Sequence, residues 1–388
     1  IRSGKIAWTF HTIPQPGEFG YETWPLDAYQ RLGGANVWGG LSLDEEREIV
    51  YLPTGSAAYD FYGGNREGEN LFANCIIALD ANTGERLWHF QTVHHDLWDY
   101  DLPCPPNLLT LEKEGEKIHA LAQVSKNGFV YVLDRETGKP VFPIEERPVP
   151  ASGLIGEASW PTQPVPVKPP PFARQAFTSE DLSYLKDEDR EIVKARLEAA
   201  GHETVFNPPS TEGSLMIPGA NGGANWGGAA ADPERGMLFI NSHNWPTLPK
   251  MQAISNDVAE LGDTDLPRRL YRKYCGSCHG LNREGQHPAI PGLLNLDERM
   301  DETGVMALLK NGKGLMPSFA HLSEKDLTRI VNYIFDKMEE APTQQAEISP
   351  EKLDPQSMRY ISAKGDAFLN SADGYPAISP PWGTLTAY

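Results

Sequence analysis

The sequence predicts a mainly β fold, a run of propeller blades interrupted by one small α-helical module. Two internal repeats and one change of period carry that expectation. ALDANTGERLW (78–88) and VLDRETGKPVF (132–142) share the frame Leu-Asp-x-x-Thr-Gly-x-x-x-aromatic. ANVWGGLSLDEEREIVYLPTG (35–55) and GANWGGAAADPERGMLFINS (223–242) share Asn and Trp, two Gly, a strand, an acidic turn and a second strand. A strand, a Gly turn and a strand ending in Trp, recurring at intervals of tens of residues, is how propeller blades read. Between about 254 and 340 the apolar spacing turns helical.

Taken in order, SGKIAW (3–8) is the tail of an earlier copy of the frame. EIVYLPTG (48–55), the run 75–93 and the run 119–142 are β-branched and aromatic stretches split by turn residues. The Pro-rich stretch 144–176 is expected to be an extended surface loop. DEDREIVKARLEAAG (187–201) reads as a helix closed by Gly201. Strand returns over 213–245. LSEKDLTRIVNYIFDKM (322–338) is an amphipathic helix with Leu327, Ile330, Val331, Ile334 and Met338 on one face, and Ser323 with Asp326 resembles a capping box. Residues 341–377 read as irregular, and LTAY (385–388) starts another copy. The domains expected are 1–253 for blades, 254–340 for the helical module, and 341–388 for the return to the blades.

The chain of 388 residues is 40% hydrophobic and 22% charged, a soluble globular composition. A net charge of -19 argues against nucleic acid or an anionic membrane surface as main partner. No apolar run approaches the roughly 20 residues of a membrane span. The chain opens on IRSGKIAWTF without an initiator Met and stops in an expected strand, so it reads as a piece of something longer.

YCGSCHG (274–280) carries the first chemistry. Cys-x-x-Cys-His is the haem c attachment signature, with thioethers at Cys275 and Cys278 and His279 as an axial iron ligand. A structural zinc site would need a second Cys/His pair, and none follows. A redox disulfide would sit in a βαβ context, which is missing. Met316, in GLMPSF, is the expected second iron ligand, with Met306 and Met300 as rivals. The module resembles a small class I cytochrome c. Covalent haem implies an extracytoplasmic protein.

QTVHHDLWDYDLP (91–103) is a strand end crowded with His, Asp and Trp, and by itself could be a polar turn. Together with ANVWGG, ALDANTGERLW, SKNGFVYVLDRETGKPV, FNPPSTEGSLMIPG and NWGG, it resembles the quinoprotein dehydrogenases, nearest to the membrane-type quinoprotein glucose dehydrogenases. The resemblance covers residues 1 to about 245 and about 355 to 388. It implies an eight-bladed propeller, of which this chain carries about half, holding pyrroloquinoline quinone (PQQ) near its axis with Ca²⁺ or Mg²⁺.

The resemblance also implies roles. Asp99 matches the catalytic base and lies near the metal. Lys126 matches the cation that polarises the quinone carbonyl, where the alcohol-oxidising branch carries Arg. Trp38 matches the indole that stacks on the quinone, and Asn241 an amide that contacts it. His94 and His95 either line the substrate pocket or brace the loop. Ser56 stands where the alcohol-oxidising branch has a metal-binding Asn, and is a poorer ligand. Cys75 and Cys104, an even remainder, are expected to pair as a disulfide.

The implied activity is oxidation of a sugar, such as an aldose to its lactone, or of a polyol. Electrons would pass to haem c and on to a periplasmic cytochrome, blue copper protein or quinone. A quinohaemoprotein alcohol dehydrogenase and a quinone-free electron-transfer scaffold are the alternatives.

Overall fold

The computed structural model describes residues 3–182, 185–198, 200, 204–255, 266–280, 282–285, 290–314, 316–336, 358–362, 368–371 and 373–388. The chain forms two compact units, Ile1–Ser255 with Asp354–Tyr388, and Asn256–Leu353.

In the first unit β1 (Ser42–Asp44), β2 (Ile49–Pro53), β3 (Cys75–Asp80) and β4 (Arg86–Gln91) form a four-stranded antiparallel meander in chain order. Strand β3 is apolar at nearly every position because both its faces are covered, and Ile76, Ile77, Ala78 and Leu79 are fully buried. A second sheet holds β5 (Asn107–Lys113), β6 (Glu116–Val124) and β7 (Val130–Asp134). Between these sheets lie Tyr51, Trp88, Trp98, Tyr100, Leu121, Tyr131 and Phe206.

The repeated frame has a physical basis. In each copy the Asp carboxylate closes the turn. Asp80 accepts from Asn82 N at 2.9 Å and Thr83 N at 2.8 Å, and Asp134 accepts from Glu136 N at 3.0 Å and Thr137 N at 2.8 Å. The following glycines, Gly84 and Gly138, have φ of +74° and +70°. A Cβ on either would strike a tryptophan ring, Trp8 at 2.5 Å and Trp88 at 2.6 Å. Those indoles also donate to Ala81 O and Arg135 O. The Trp that ends one copy thus docks on the turn of the next, which explains the recurrence of Gly and Trp at fixed spacing.

The stretch 144–176 is not an extended surface loop. It forms a hairpin of β8 (Ile144–Pro148) and β9 (Thr162–Pro166), in which Gln163 and Val165 are buried. Pro148, Pro164 and Pro166 sit in this two-stranded ribbon, where a missing N–H can face outward without breaking a ladder. Besides the short α1 (Ala28–Arg31), this unit carries α2 (Asp187–Glu198); Gly201, the expected cap, lies outside the described residues.

β10 (Ala229–Asp232), β11 (Met237–His243) and β14 (Gly383–Ala387) make a third sheet, so its last strand comes from beyond the second unit. β12 (Met251–Ser255) pairs antiparallel with β13 (Met358–Ser362), so the two chain segments flanking the insertion hydrogen-bond to each other.

The second unit contains α3 (Leu266–Tyr274), α4 (Gly276–His279), α5 (Glu302–Asn311) and α6 (Glu324–Ile334) around Tyr271, Val305, Leu309, Leu327, Ile330, Val331 and Ile334. Ser323 caps α6: its Oγ accepts from Asp326 N at 3.1 Å and donates to Asp326 Oδ2 at 2.7 Å. Met338, expected on the same face, lies outside the described residues. Among the described residues, no helix is long and apolar enough to cross a membrane.

Candidate active site

The loop after β4 is shaped by its own side chains. Asp96 accepts from Trp98 N and Tyr100 N, both at 2.8 Å, which folds residues 96–100 into a tight turn. Trp98 and Tyr100 point into the core and stack at 6.1 Å. The indole donates to Asn207 O at 2.7 Å and the phenol to Val205 O at 2.9 Å. With those two rings anchored, Asp99 lies between them in sequence and is held at φ +58°, unusual for a non-glycine residue.

Asp99 Oδ2 meets Lys126 Nζ at 2.7 Å, and the same ammonium meets Asp101 Oδ2 at 2.6 Å. Lys126 stands in the turn between β6 and β7. Its backbone N–H donates to Asp101 O, and its carbonyl accepts from Gly223 N at 2.7 Å. Asp101 Oδ1 accepts from Ser56 N at 2.6 Å. Lys126 Nζ lies 5.8 Å from the Trp38 ring centroid. Gly55 lets these groups approach, since a Cβ there would lie 2.5 Å from Asp101 Oδ1 and 2.8 Å from Trp38 Nε1. Asp99, Lys126 and Trp38, far apart in sequence, therefore share one site, and Trp38 stays 39% exposed.

Electrostatics follow from that geometry. Burial, and then the like charge of Asp101, push the Asp99 carboxyl well above the usual carboxylate range, against the pull of Lys126. Burial works against the Lys126 ammonium, but Asp99 and Asp101 outweigh it and raise its pKa. Asp96 is raised by burial despite its hydrogen bonds to Ser56 and Trp98.

Other expected residues find different places. Asn241 lies exposed on β11 beside Gly227, and no hydrogen bond joins it to Lys126, Asp99 or Trp38. The same loop that brings Gly222 against the Lys126 stem brings Gly227 against Asn241. Both histidines brace. His95 bridges Gly68 O at 2.7 Å and Glu157 Oε1 at 2.8 Å, while the His94 ring meets Gln91 Oε1 at 2.6 Å. Gln163 of β9 pairs with the His94 backbone in both directions, at 2.8 and 2.6 Å. Ser56 Oγ donates to Asp96, so its oxygen is committed within the protein.

The expected disulfide does not form. Cys75 and Cys104 are both free and buried, and they pack in different core clusters, with Cys75 donating to Ala73 O and Cys104 accepting from Gln123 Nε2. Asp101 was not singled out in the sequence.

In the second unit Cys275 and Cys278 lie one turn apart, as i and i+3, with His279 next. His279 Nδ1 contacts Pro291 O at 2.9 Å. A carbonyl only accepts, so Nδ1 carries the proton and Nε2 keeps its lone pair for a metal. Met316, Met306 and Met300 are all partly buried against this unit's core. Met316 sits in a tight turn, exchanging backbone hydrogen bonds with Lys313 at 3.0 Å.

The family described as "Glucose/ethanol/alcohol dehydrogenase, beta-propeller domain", named PQQ, matches residues 1–270. The chain belongs to the PQQ-dependent quinoprotein dehydrogenases. A second family, "Cytochrome C oxidase, cbb3-type, subunit III", matches residues 262–334 of this quinoprotein. It is 35% identical to the quinate/shikimate dehydrogenase (quinone) of Acinetobacter baylyi, over 62% of this chain and 30% of that protein. It is 33% identical to the quinoprotein glucose dehydrogenase of Escherichia coli, over 65% and 31%. It is 35% identical to the glycerol dehydrogenase large subunit of Gluconobacter oxydans, over 72% and 37%. The chain thus spans about a third of the length of these relatives.

The cofactors of this quinoprotein are PQQ and haem c, and the residues present fit them. Trp38 offers an exposed aromatic face beside a fixed ammonium, suited to a flat anionic quinone. The thiols and His279 Nε2 fit haem c. For Ca²⁺ or Mg²⁺ the fit is partial. Asp99 and Asp101 are hard oxygen donors, but Lys126 engages both. Among the described residues no group of three or more acidic, His or Cys side chains is gathered for a metal.

Proposed function

We propose that this chain is the core of a quinohaemoprotein dehydrogenase that oxidises a hydroxyl of a sugar or polyol. The observation that carries the proposal is the Asp99–Lys126–Trp38 arrangement, a carboxylate with raised proton affinity held by an ammonium beside an exposed indole face. When bound, PQQ supplies the hydride acceptor and haem c a one-electron relay.

Asp99 takes the hydroxyl proton. A carboxylate with a pKa above its ordinary value holds that proton better, and proton transfer is most effective when the base's pKa lies near the working pH. Asp99 Oδ2 is bound by Lys126, and Oδ1 has no partner among the described residues, so Oδ1 is the oxygen that faces substrate. Lys126 keeps Asp99 oriented and places positive charge where negative charge develops. Trp38 holds the quinone plane, and Asn241, on β11 beside Gly227, is the amide that contacts it. In the second unit Cys275 and Cys278 carry the haem, and His279 and Met316 ligate its iron. A divalent ion held by Asp99 would be the third cofactor.

Glucose, glycerol and quinate or shikimate relatives support a polyhydroxylated substrate, as does Lys126, the cation of the sugar branch. Haem c attachment supports a periplasmic setting and a periplasmic acceptor, a cytochrome, blue copper protein or quinone.

The test uses the full-length protein loaded with PQQ and Ca²⁺. Glucose, glycerol, quinate or ethanol is added anaerobically while the haem bands are followed. Haem reduction by a polyol, abolished in Asp99→Asn, supports the proposal. Reduction by ethanol alone moves the protein to the alcohol branch. No reduction by any donor and no bound quinone would mean a scaffold.

A further inference from the structure

The loop that follows the haem-binding histidine folds back on itself, and one side chain fastens it to the end of α6. We propose that Arg283 is a positioning residue for the iron-ligating histidine: it clamps the loop that carries the Pro291 carbonyl, and so sets the hydrogen bond that fixes the His279 ring. The proposal rests on YCGSCHG being a haem c site.

The clamp has two ends. At one, the Arg283 guanidinium donates through Nη1 to Tyr333 O and Ile334 O, both at 3.0 Å, and pairs through Nη2 with Asp336 Oδ1 at 2.7 Å. These carbonyls belong to the last turn of α6, where backbone acceptors lack helical partners and a cation is favoured by the dipole. The guanidinium also lies 5.1 Å from the Tyr333 ring centroid. At the other end, the Arg283 backbone carbonyl accepts from Leu293 N at 2.7 Å, two residues beyond Pro291.

The described residues at the two ends of this loop come close together. Gly285 N donates to His279 O at 2.7 Å. A Cβ on Gly285 would lie 2.4 Å from Gly292 N, and one on Gly292 would lie 2.9 Å from Glu284 O, so both glycines permit the close approach. Arg283 itself sits at φ +68°, a conformation that favours glycine or asparagine. An arginine held there is explained by its side-chain contacts, not by its backbone preference.

The connection runs from the His279 loop to the helix that follows Met316. Pro291 O receives the His279 Nδ1 proton at 2.9 Å. The helix that Arg283 caps, α6, follows the segment bearing Met316, and that segment is pinned to α5 by Phe319 N donating to Leu309 O at 2.7 Å. Arg283 therefore ties the histidine side of the unit to the helix that continues from the methionine side.

The chemistry gives a sign. An Nδ1–H bond to a carbonyl raises the basicity of the ligating imidazole, and a more basic ligand favours oxidised iron. Loosening the clamp weakens that bond and favours reduced iron. Lysine at 283 keeps the charge but presents one nitrogen, which cannot serve two carbonyls and a carboxylate in the same fork.

The experiment is an optical redox titration of the haem in the full-length holoprotein and its Arg283→Lys variant, with proton NMR of the resonances shifted by the oxidised iron. The expected result is a shift of about tenfold in the haem equilibrium toward the reduced form, equal to about 59 mV upward for one electron, with the His279 ring resonances moved. An unchanged potential with unmoved His279 resonances, and only a lower unfolding temperature, would make Arg283 a plain helix cap and overturn the proposal. If Arg283→Lys does not load haem, Arg283→Gln is read by the His279 resonances alone, and unmoved resonances overturn it equally. Absence of covalent haem in the parent protein would overturn the haem reading and this proposal with it.

Discussion

The two carboxylates on Lys126 allow a sharp prediction. Contacts of 2.7 and 2.6 Å through one nitrogen put the Asp99 and Asp101 oxygens within about 5 Å of each other. At that separation two like charges repel by about 3 kcal/mol at an effective dielectric of 20, and by about 0.8 kcal/mol in water. That repulsion disfavours the ionised form of Asp99, so Asp101 adds to burial in raising the Asp99 pKa. Asp101→Asn removes that charge. The Asn Oδ1 can still accept from Ser56 N, and its amide repels Lys126 toward Asp99. Both effects lower the Asp99 pKa. Asp99 works as a base only when ionised, so the acid limb of the kcat/KM profile should move to lower pH. The assay is donor-dependent haem reduction in the full-length holoenzyme from acid to neutral pH. An acid limb that stays in place, or moves to higher pH, would refute Asp99 as the base or Asp101 as the cause of its shift.

Further outcomes follow from other contacts. Gln163→Ala deletes two part-buried hydrogen bonds to the His94 backbone and should destabilise by about 1 to 3 kcal/mol, read as a lower denaturant midpoint at unchanged slope. Trp38→Ala should weaken quinone binding by about tenfold, measured by quinone titration, with the fold intact because this ring is partly exposed. Cys75 and Cys104 are buried, with thiol pKa values pushed up by burial, that of Cys104 to about 12. Both should resist thiol reagents in the native protein and react without reductant once unfolded; a protein with neither thiol free would refute this.

Much of the site was legible in the sequence, and the reasons differ by residue. Asp99, Lys126 and Trp38 belong to motifs whose order and spacing mark a known family, and the fold brings them together. His94 and His95 were ambiguous, because a histidine's role depends on what faces its ring. Glu157, Gly68 and Gln91 face them here. Asp101 escaped notice since its function comes from a lysine 25 positions away. The cysteine pair misled because parity says nothing about distance, and these thiols lie in separate packing clusters. The Pro-rich stretch misled because composition disfavours central strands, yet a two-stranded ribbon tolerates prolines on its outward edge.

The sequence by itself determined the β repeat, through Asp, Gly and Trp at fixed offsets that close a turn and dock an indole on it. It determined the haem signature, since that chemistry is local to five residues, and the helical face of α6. Only the tertiary structure decided that one ammonium is shared by two carboxylates, that β9 latches the active-site loop, and that Arg283 joins the histidine loop to the end of α6. The physical reason is separation along the chain. Turn closure and helical periodicity act over a few residues and leave a pattern, whereas a charge, a latch or a clamp that acts across tens of residues leaves none until the chain has folded.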